Sequence, residues 1–116
     1  MKRGDVFLAD LEPIRGAEAN KARPVIVVGN DASVGAAERL GRGVVTVVPC
    51  TSYCDVRGPM HVLLRPTKLN GLRVLSKAQS EQIRSIDVSR LLRRLGQLGR
   101  TDLNTVDAAL RYHLSL

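Results

Sequence analysis

Two segments of the sequence place polar side chains at the ends of apolar, strand-like runs. In the first, Arg23 stands directly before Pro24 and an apolar run over residues 25–28. The proline restricts Arg23 to extended backbone, so the strand that follows gives its guanidinium a fixed direction. In the second, a β-branched run over residues 44–48 leads within three residues to the hydroxyls of Thr51 and Ser52. An oriented guanidinium can bind two phosphate oxygens at once, and a hydroxyl can add a further hydrogen bond. By composition alone, each segment also fits an ordinary solvated turn.

The charge of the chain favours a polyanionic partner such as nucleic acid. Its 116 residues carry 18 Lys and Arg against 11 Asp and Glu, a formal net charge of +7. The excess lies in the second part, because residues 1–64 have a net charge of +1 and residues 65–116 a net charge of +6. Aromatic residues make up 3% of the chain, which argues against recognition that works mainly by stacking bases on aromatic rings. Binding is expected to be ionic and polar.

Other kinds of chemistry find little support in the sequence. The signatures of P-loops, HExxH metalloproteases and serine hydrolases are missing from it. Cys50 and Cys54 match neither a zinc site nor a redox pair and are interpreted as reduced, structural residues. His61 and His113 are interpreted as structural as well. We therefore expect no metal and no cofactor, and, because no apolar run approaches the roughly 20 residues that span a bilayer, a cytoplasmic location.

The pattern of short apolar runs predicts a mainly β protein with a C-terminal helix (α+β). Strands are predicted over residues 6–9, 24–28, 44–48, 60–64, 74–75, the stretch around 78–86, and 92–98. A short helix capped by Asp31 or Ser33 is expected to end at Leu40, and a helical turn to follow Asp87. The final segment predicts an amphipathic helix with Thr101 as its N-cap. One domain over residues 1–116, folded as a small, partly open barrel, accommodates these elements.

Several segments together resemble the MazF/PemK toxin family. They are RGDVFLADLEP and ARPVIVVGND near the N-terminus, VVTVVPCTS in the middle, SEQIRSIDVSRL, and DLNTVDAAL close to the end. The match covers essentially the whole chain, in order and at compatible spacing. The resemblance implies an SH3-like barrel of the PemK/CcdB type and a homodimer that a MazE-like antitoxin neutralises. It further implies a ribosome-independent, metal-independent and sequence-selective endoribonuclease for single-stranded RNA that inhibits translation.

The resemblance also assigns residues. The family's catalytic arginine, threonine and loop glutamate fall on Arg23, Thr51 and Glu18. Phe7 and Ala17 depart from the family pattern, which puts any hydrogen bond from those positions to the substrate in doubt. The RNA-binding residues that we predict are Ser52, Gln82, Lys21, Arg84 and Arg57.

The implied reaction uses the substrate's own nucleophile. The 2′-OH attacks the adjacent phosphorus and leaves a 2′,3′-cyclic phosphate and a 5′-OH, so the protein must align, neutralise charge and handle two protons. Arginine stays protonated, so we interpret Arg23 as an electrostatic clamp and a candidate proton donor to the leaving group. Glu18 or a water then takes the 2′ proton. A phosphate track, which would also attract an acidic antitoxin tail, is predicted from Arg65, Lys68, Arg73, Lys77, Arg84, Arg90, Arg93 and Arg94.

Two other functions stay open at this point. A toxin of the same architecture that poisons DNA gyrase, as CcdB-type proteins do, is expected to end in Trp-Gly-Ile, whereas this chain ends in Leu-Ser-Leu and contains no Trp. A noncatalytic barrel that only binds RNA fits the charge equally well.

Overall fold

The computed structural model describes residues 1–11 and 22–116. Within these ranges it contains seven strands, two α-helices and two 3₁₀ turns, at Ser80–Gln82 and Val88–Arg90. No helix there is long and apolar enough to cross a membrane. The bounds are β1 Asp5–Asp10, β2 Ala22–Val27, α1 Asp31–Leu40, β3 Val44–Thr51, β4 His61–Leu64, β5 Ser76–Gln79, β6 Arg84–Asp87, β7 Leu91–Gln97 and α2 Arg100–Leu114.

The strands form one antiparallel sheet in the order β4-β5-β3-β2-β1-β7, with β6 also paired to β3. β3 is the centre of this arrangement. Along one edge it pairs with β2, and along the other it pairs first with β6 and then with β5. The predicted fold class, mainly β with a C-terminal helix, is confirmed.

The sheet buries a hydrophobic cluster on each face, because successive side chains of a strand point to opposite sides. Ile26 of β2 belongs to the cluster that α2 covers with Val106 and Leu110. Val25 and Val27, its neighbours along the strand, belong to the cluster that α1 covers. The continuous apolar run of β2 thus indicates a strand covered on both faces, as the sequence predicts.

The predicted helix caps are wrong by one to three residues. Asn30 caps α1, since its side chain accepts a hydrogen bond from the amide of Ser33 at 2.9 Å. The carboxylate of Asp31 instead accepts a hydrogen bond from the amide of Arg3 at 2.7 Å. At the start of α2 the N-cap is Gly99, without a side-chain bond, and Thr101 lies inside the helix.

The segment between β4 and β5 is a loop, so the predicted strand at residues 74–75 is wrong. Asn70, 1% exposed, satisfies this loop's backbone with its side chain: its Oδ1 accepts from the amides of Thr67 and Leu72, both at 3.0 Å, and its Nδ2 donates to the carbonyl of Arg65 at 2.9 Å. The loop therefore holds its shape without strand pairing. The single piece predicted over residues 78–86 is likewise divided, because the first 3₁₀ turn separates β5 from β6.

Candidate active site

The pairing of β2 with β3 brings Arg23 and Thr51 to the same end of the sheet. Val25 pairs with Pro49, and two residues further along the antiparallel strands the chain reaches Arg23 on β2 and Thr51 on β3. Both residues, together with Ser52, line a cleft of about 550 Å³. Three of the predicted site residues therefore meet in one place.

The rest of the cleft wall carries no acidic side chain among the lining residues that the structure describes. Its other members are Ala22, Pro24, Cys50, Val74 and Ser76. Burial raises the pKa of the Cys50 thiol to about 12, so this thiol is protonated and unreactive at neutral pH. Val74 and Ser76 were not predicted as site residues, and nothing in their sequence context marks them as such.

The Thr51 hydroxyl is oriented by its neighbour. The amide of Tyr53 donates a hydrogen bond to Thr51 Oγ1 at 3.1 Å. Because the oxygen accepts this bond, its own proton remains free to be donated. Thr51 is partly exposed, so that proton can reach a ligand in the cleft. The local geometry suits a hydrogen bond to a phosphoryl oxygen.

Arg23 also lines a second groove, of about 240 Å³. This groove contains Gln82 and Arg84, both predicted to bind RNA, along with Leu11, Pro49 and Gln79. Arg84 is held opposite Val47 in the pairing of β6 with β3. In the described ranges no carboxylate pairs with Arg23. Arg23 is thus an exposed cation that lines both depressions, and together they can accommodate successive phosphates of one strand.

Arg57 is the described RNA-binding candidate that lines neither the cleft nor the second groove. Its Nε donates to Asp55 at 3.0 Å, and its amide donates to Nδ1 of His61 at 3.0 Å. Nε2 of His61 therefore carries the proton and donates it to Glu81 Oε2 at 2.5 Å. His61 ties the loop between β3 and β4 to the first 3₁₀ turn, a structural role as the sequence suggests.

The predicted phosphate track of eight basic residues is not continuous. Lys77, 4% exposed, is a wrong member, because its Nζ lies inside the loop between β3 and β4. There it donates to the carbonyl of Asp55 at 2.8 Å and lies 5.4 Å from the centre of the Tyr53 ring. Arg94 is bonded to Asp5 at 3.2 Å. The Lys77 ammonium group thus stabilises the loop between β3 and β4 and is not available to bind phosphate.

Two of the predicted site residues, Glu18 and Lys21, lie outside the described residues, and their roles stay predictions. Over residues 1–11 and 22–116, no group of three or more His, Cys, Asp or Glu side chains is arranged to hold a metal ion. Both cysteines are free thiols.

Comparison with known proteins places this geometry in a wider context. Residues 2–114 match the family model described as PemK-like, MazF-like toxin of type II toxin–antitoxin system. The chain is 51% identical over 116 residues to Endoribonuclease MazF9 of Mycobacterium tuberculosis, covering 100% of this chain and 98% of that protein. It is 34% identical to Endoribonuclease EndoA of Bacillus subtilis, covering 100% of this chain and 96% of that protein.

Solved structures agree in fold. MazF from Deinococcus radiodurans superposes with a TM-score of 0.76 at 25% identity, covering 100% of this chain and 97% of the other. A mycobacterial endoribonuclease in complex with its cognate antitoxin superposes with a TM-score of 0.74 at 24% identity, covering 100% and 96%. The barrel-like fold predicted for the chain is confirmed.

Proposed function

We propose that the protein cuts single-stranded RNA at selected sequences. The chain belongs to the PemK-like, MazF-like toxins of type II toxin–antitoxin systems. It is an endoribonuclease of the MazF type, because relatives with that name match it over nearly the whole length of both chains. We further propose that it acts without a metal ion and without the ribosome, that it inhibits translation, and that one domain over residues 1–116 carries the activity. Gyrase poisoning and noncatalytic RNA binding are not favoured by these relatives.

The single observation that carries the proposal is the shared cleft of Arg23, Thr51 and Ser52. The 2′-oxygen of the substrate forms a bond to the adjacent phosphorus while the bond from phosphorus to the 5′-oxygen breaks. Negative charge grows on the phosphoryl oxygens in the transition state. The Arg23 guanidinium can bind two of these oxygens, and the free Thr51 proton can bind one. Donors fixed at strand ends need no reorganisation as the charge develops.

The two protons of the reaction need separate partners. An arginine side chain is charged in the resting enzyme, so in this mechanism Arg23 does not act as a base. It acts mainly as an electrostatic clamp on the phosphoryl oxygens, and it can also give a proton to the 5′-oxygen as that oxygen leaves and regain one from water afterwards. Glu18, or a water, takes the 2′ proton. The Glu18→Gln variant tests this assignment through its pH–rate profile. Retention of both the wild-type rate and its acidic limb would remove Glu18 from the role.

The remaining predicted residues extend the site along the RNA. Ser52 lines the cleft, and Gln82 and Arg84 line the second groove, which also contains Arg23; this supports a path for the strand through both. Lys21 and Arg57 are proposed as further contacts. Because such contacts release counterions, binding should weaken steeply as salt is added.

The partners and setting of the protein are also proposed. We assign it a MazE-like antitoxin whose acidic tail orders on the basic surface, a homodimeric state, and a cytoplasmic location. A net charge of +7 supports attraction of an acidic segment. An antitoxin peptide whose affinity did not change with salt would contradict this electrostatic account.

The decisive experiment is cleavage of an RNA oligonucleotide in the presence of EDTA. The sites are first mapped from the 5′ ends of total RNA after brief expression. Cleavage should be lost with Arg23→Ala, by on the order of 1,000-fold, and with a substrate carrying a 2′-deoxy sugar at the cut. Arg42→Ala, which removes an exposed arginine outside the cleft, is the matched control and should cut normally. Cleavage that required magnesium, or that continued on the 2′-deoxy substrate, would contradict the mechanism.

A further inference from the structure

A third depression, of about 240 Å³, adjoins the active-site cleft and shares no lining residue with the groove of Gln82 and Arg84. We name it the rim pocket. It shares Pro24, Val74 and Ser76 with the cleft, so the two form one continuous surface. Its other lining residues are Leu8, Gly71, Leu72, Arg73, Arg93 and Leu95.

One wall of the rim pocket is a row of side chains across three strands. Leu8 of β1 pairs with Pro24 of β2 on one side and with Arg93 of β7 on the other. Directly paired residues project to the same face of a sheet. The apolar side chains of Pro24 and Leu8 therefore lie next to the charged side chain of Arg93, and we call this apolar part the floor of the pocket. The strand pairing of Pro24, Leu8 and Arg93 fixes the position of the Arg93 backbone relative to the cleft.

The opposite wall is the loop between β4 and β5, which is held rigidly against β7. Asn70 fixes the shape of this loop from inside through the hydrogen bonds described above. Gly71 has φ +69, and a Cβ there would lie 2.1 Å from the carbonyl oxygen of Leu95. A Cβ on Gly96 would come equally close to the carbonyl oxygen of Leu69. The two backbones meet without side chains between them, so the pocket is formed before any ligand arrives.

The charges at the mouth of the rim pocket are unneutralised. Arg73 and Arg93 are both exposed, and in the part of the chain that the structure describes neither has an acidic partner. Arg94, the neighbour of Arg93, shows the contrast, because it pairs with the buried Asp5. Two unpaired guanidinium groups beside an apolar pocket attract a ligand that carries both an apolar surface and an anion.

We infer that the rim pocket binds one nucleobase of the RNA substrate, next to the nucleotide held in the cleft, with the phosphate of that base at Arg73 and Arg93. The inference rests on the proposed function. A nucleotide offers an apolar base face and a phosphate on one rigid sugar, which matches the apolar floor and the charged mouth. Since the pocket is continuous with the cleft, one RNA strand can occupy both.

The first test measures the charged mouth. A mapped substrate with a 2′-deoxy sugar at the cut binds without being cleaved, and its affinity is followed by fluorescence anisotropy at several salt concentrations. Arg73→Gln combined with Arg93→Gln should lower the salt slope by about 0.7, the value for one phosphate contact on a single strand. Arg42→Gln combined with Arg100→Gln, at two exposed positions outside these depressions, removes the same charge and should leave the slope unchanged.

The second test measures the apolar floor. Abasic residues are placed one at a time on either side of the cut. At one position, loss of the base should weaken binding by wild-type protein about tenfold, as burial of roughly 60 Å² of apolar surface predicts at about 25 cal/mol per Å². Leu8→Phe fills the pocket, so at that position the intact and abasic substrates should bind this variant equally. Because Leu8 belongs to neither buried cluster, the variant is expected to fold, and thermal unfolding checks this.

The outcomes separate this inference from the proposed function. Protein that binds and cuts no RNA overturns both. Protein that cuts RNA normally, while the Arg73/Arg93 variant behaves like its control, overturns the assignment of the phosphate. Equal effects of every abasic position on wild type and Leu8→Phe overturn the assignment of the base. If the same variants weaken binding of an acidic antitoxin peptide but not of RNA, the pocket is a peptide site and the inference is wrong.

Discussion

Replacing Thr51 by valine tests the proposed donor with little change in side-chain shape. The substitution exchanges a hydroxyl for a methyl group at the last residue of β3. It removes the hydroxyl proton that is free to be donated in the cleft, and it also removes the acceptor that holds the amide of Tyr53 at 3.1 Å. The variant should therefore change catalysis and stability by amounts that can be calculated separately.

The catalytic loss should be much larger than the loss of stability. Removal of one preorganised donor to a developing oxyanion typically costs about 3–4 kcal/mol, which is about 100- to 1,000-fold in rate. The hydrogen bond to the Tyr53 amide is near the surface and contributes about 1 kcal/mol to folding. With an unfolding entropy of about 2.1 cal/mol/K per residue over 116 residues, 1 kcal/mol corresponds to a fall in Tm of about 4 °C.

Single-turnover cleavage of a mapped oligonucleotide measures the rate, and thermal unfolding measures the stability. Thr51→Ser is the matched control, because it keeps the hydroxyl and should cut within a few-fold of wild type. A Thr51→Val protein that cut RNA as fast as wild type would refute the donor role. If the serine variant were as slow as the valine variant, the methyl group, and not the hydroxyl, would be the important part of the side chain.

Three further predictions concern stability and reactivity. Hydrogen bonds from the side chain and then the amide of Ser89 lower the pKa of Asp87. Its ionised form therefore stabilises the fold above the unfolded pKa near 4 and loses that effect as the pH falls. Asp87→Asn should be less stable than wild type in urea at pH 7 and equally stable at the acid end, and a gap independent of pH would contradict this. Burial raises the pKa of Cys50 to about 12, so iodoacetamide at pH 8 should label Cys50 in unfolded but not in folded protein, as mass spectrometry of the peptides will show. Equal labelling would mean that the thiol is accessible and ionised. Asn70→Ala leaves the buried amide of Leu72 without its acceptor and should lower the free energy of unfolding by about 3 kcal/mol. Thr67→Val, which removes only the acceptor of the Asn70 amide at an exposed position, should lose less, and equal losses would locate the effect elsewhere.

The strands and helices that could be predicted are those with a strong local pattern. The β-branched runs of β2 and β3 and the apolar period of α2 predict these elements to within a few residues. The caps could not be chosen from sequence, because Asn30, Asp31 and Ser33 are all good caps. The contact of Asp31 with the amide of Arg3 decides between them, and that contact joins residues 28 positions apart.

The candidate site divides in the same way. Arg23 and Thr51 were predicted because each follows or begins an apolar run and because the resemblance assigns them roles. The rim pocket could not be predicted, since it depends on a close approach of the Gly71 and Gly96 backbones that no local sequence pattern reveals. Burial of Lys77 is not predictable from sequence for a related reason. Its partner is the backbone carbonyl oxygen of Asp55, and because every residue has such a carbonyl, no residue type in the sequence marks this contact.

The position of Arg23 and Thr51 within paired strands has a consequence for redesign. Both belong to the hydrogen-bonded scaffold, whereas the residues between Ser52 and Met60 leave it. If the proposed endoribonuclease reads its RNA partly through this loop, exchange of the loop will change which sequences are cut while Arg23 and Thr51 keep their positions. Chimeric proteins that differ only in this loop are therefore the natural way to separate substrate choice from cleavage.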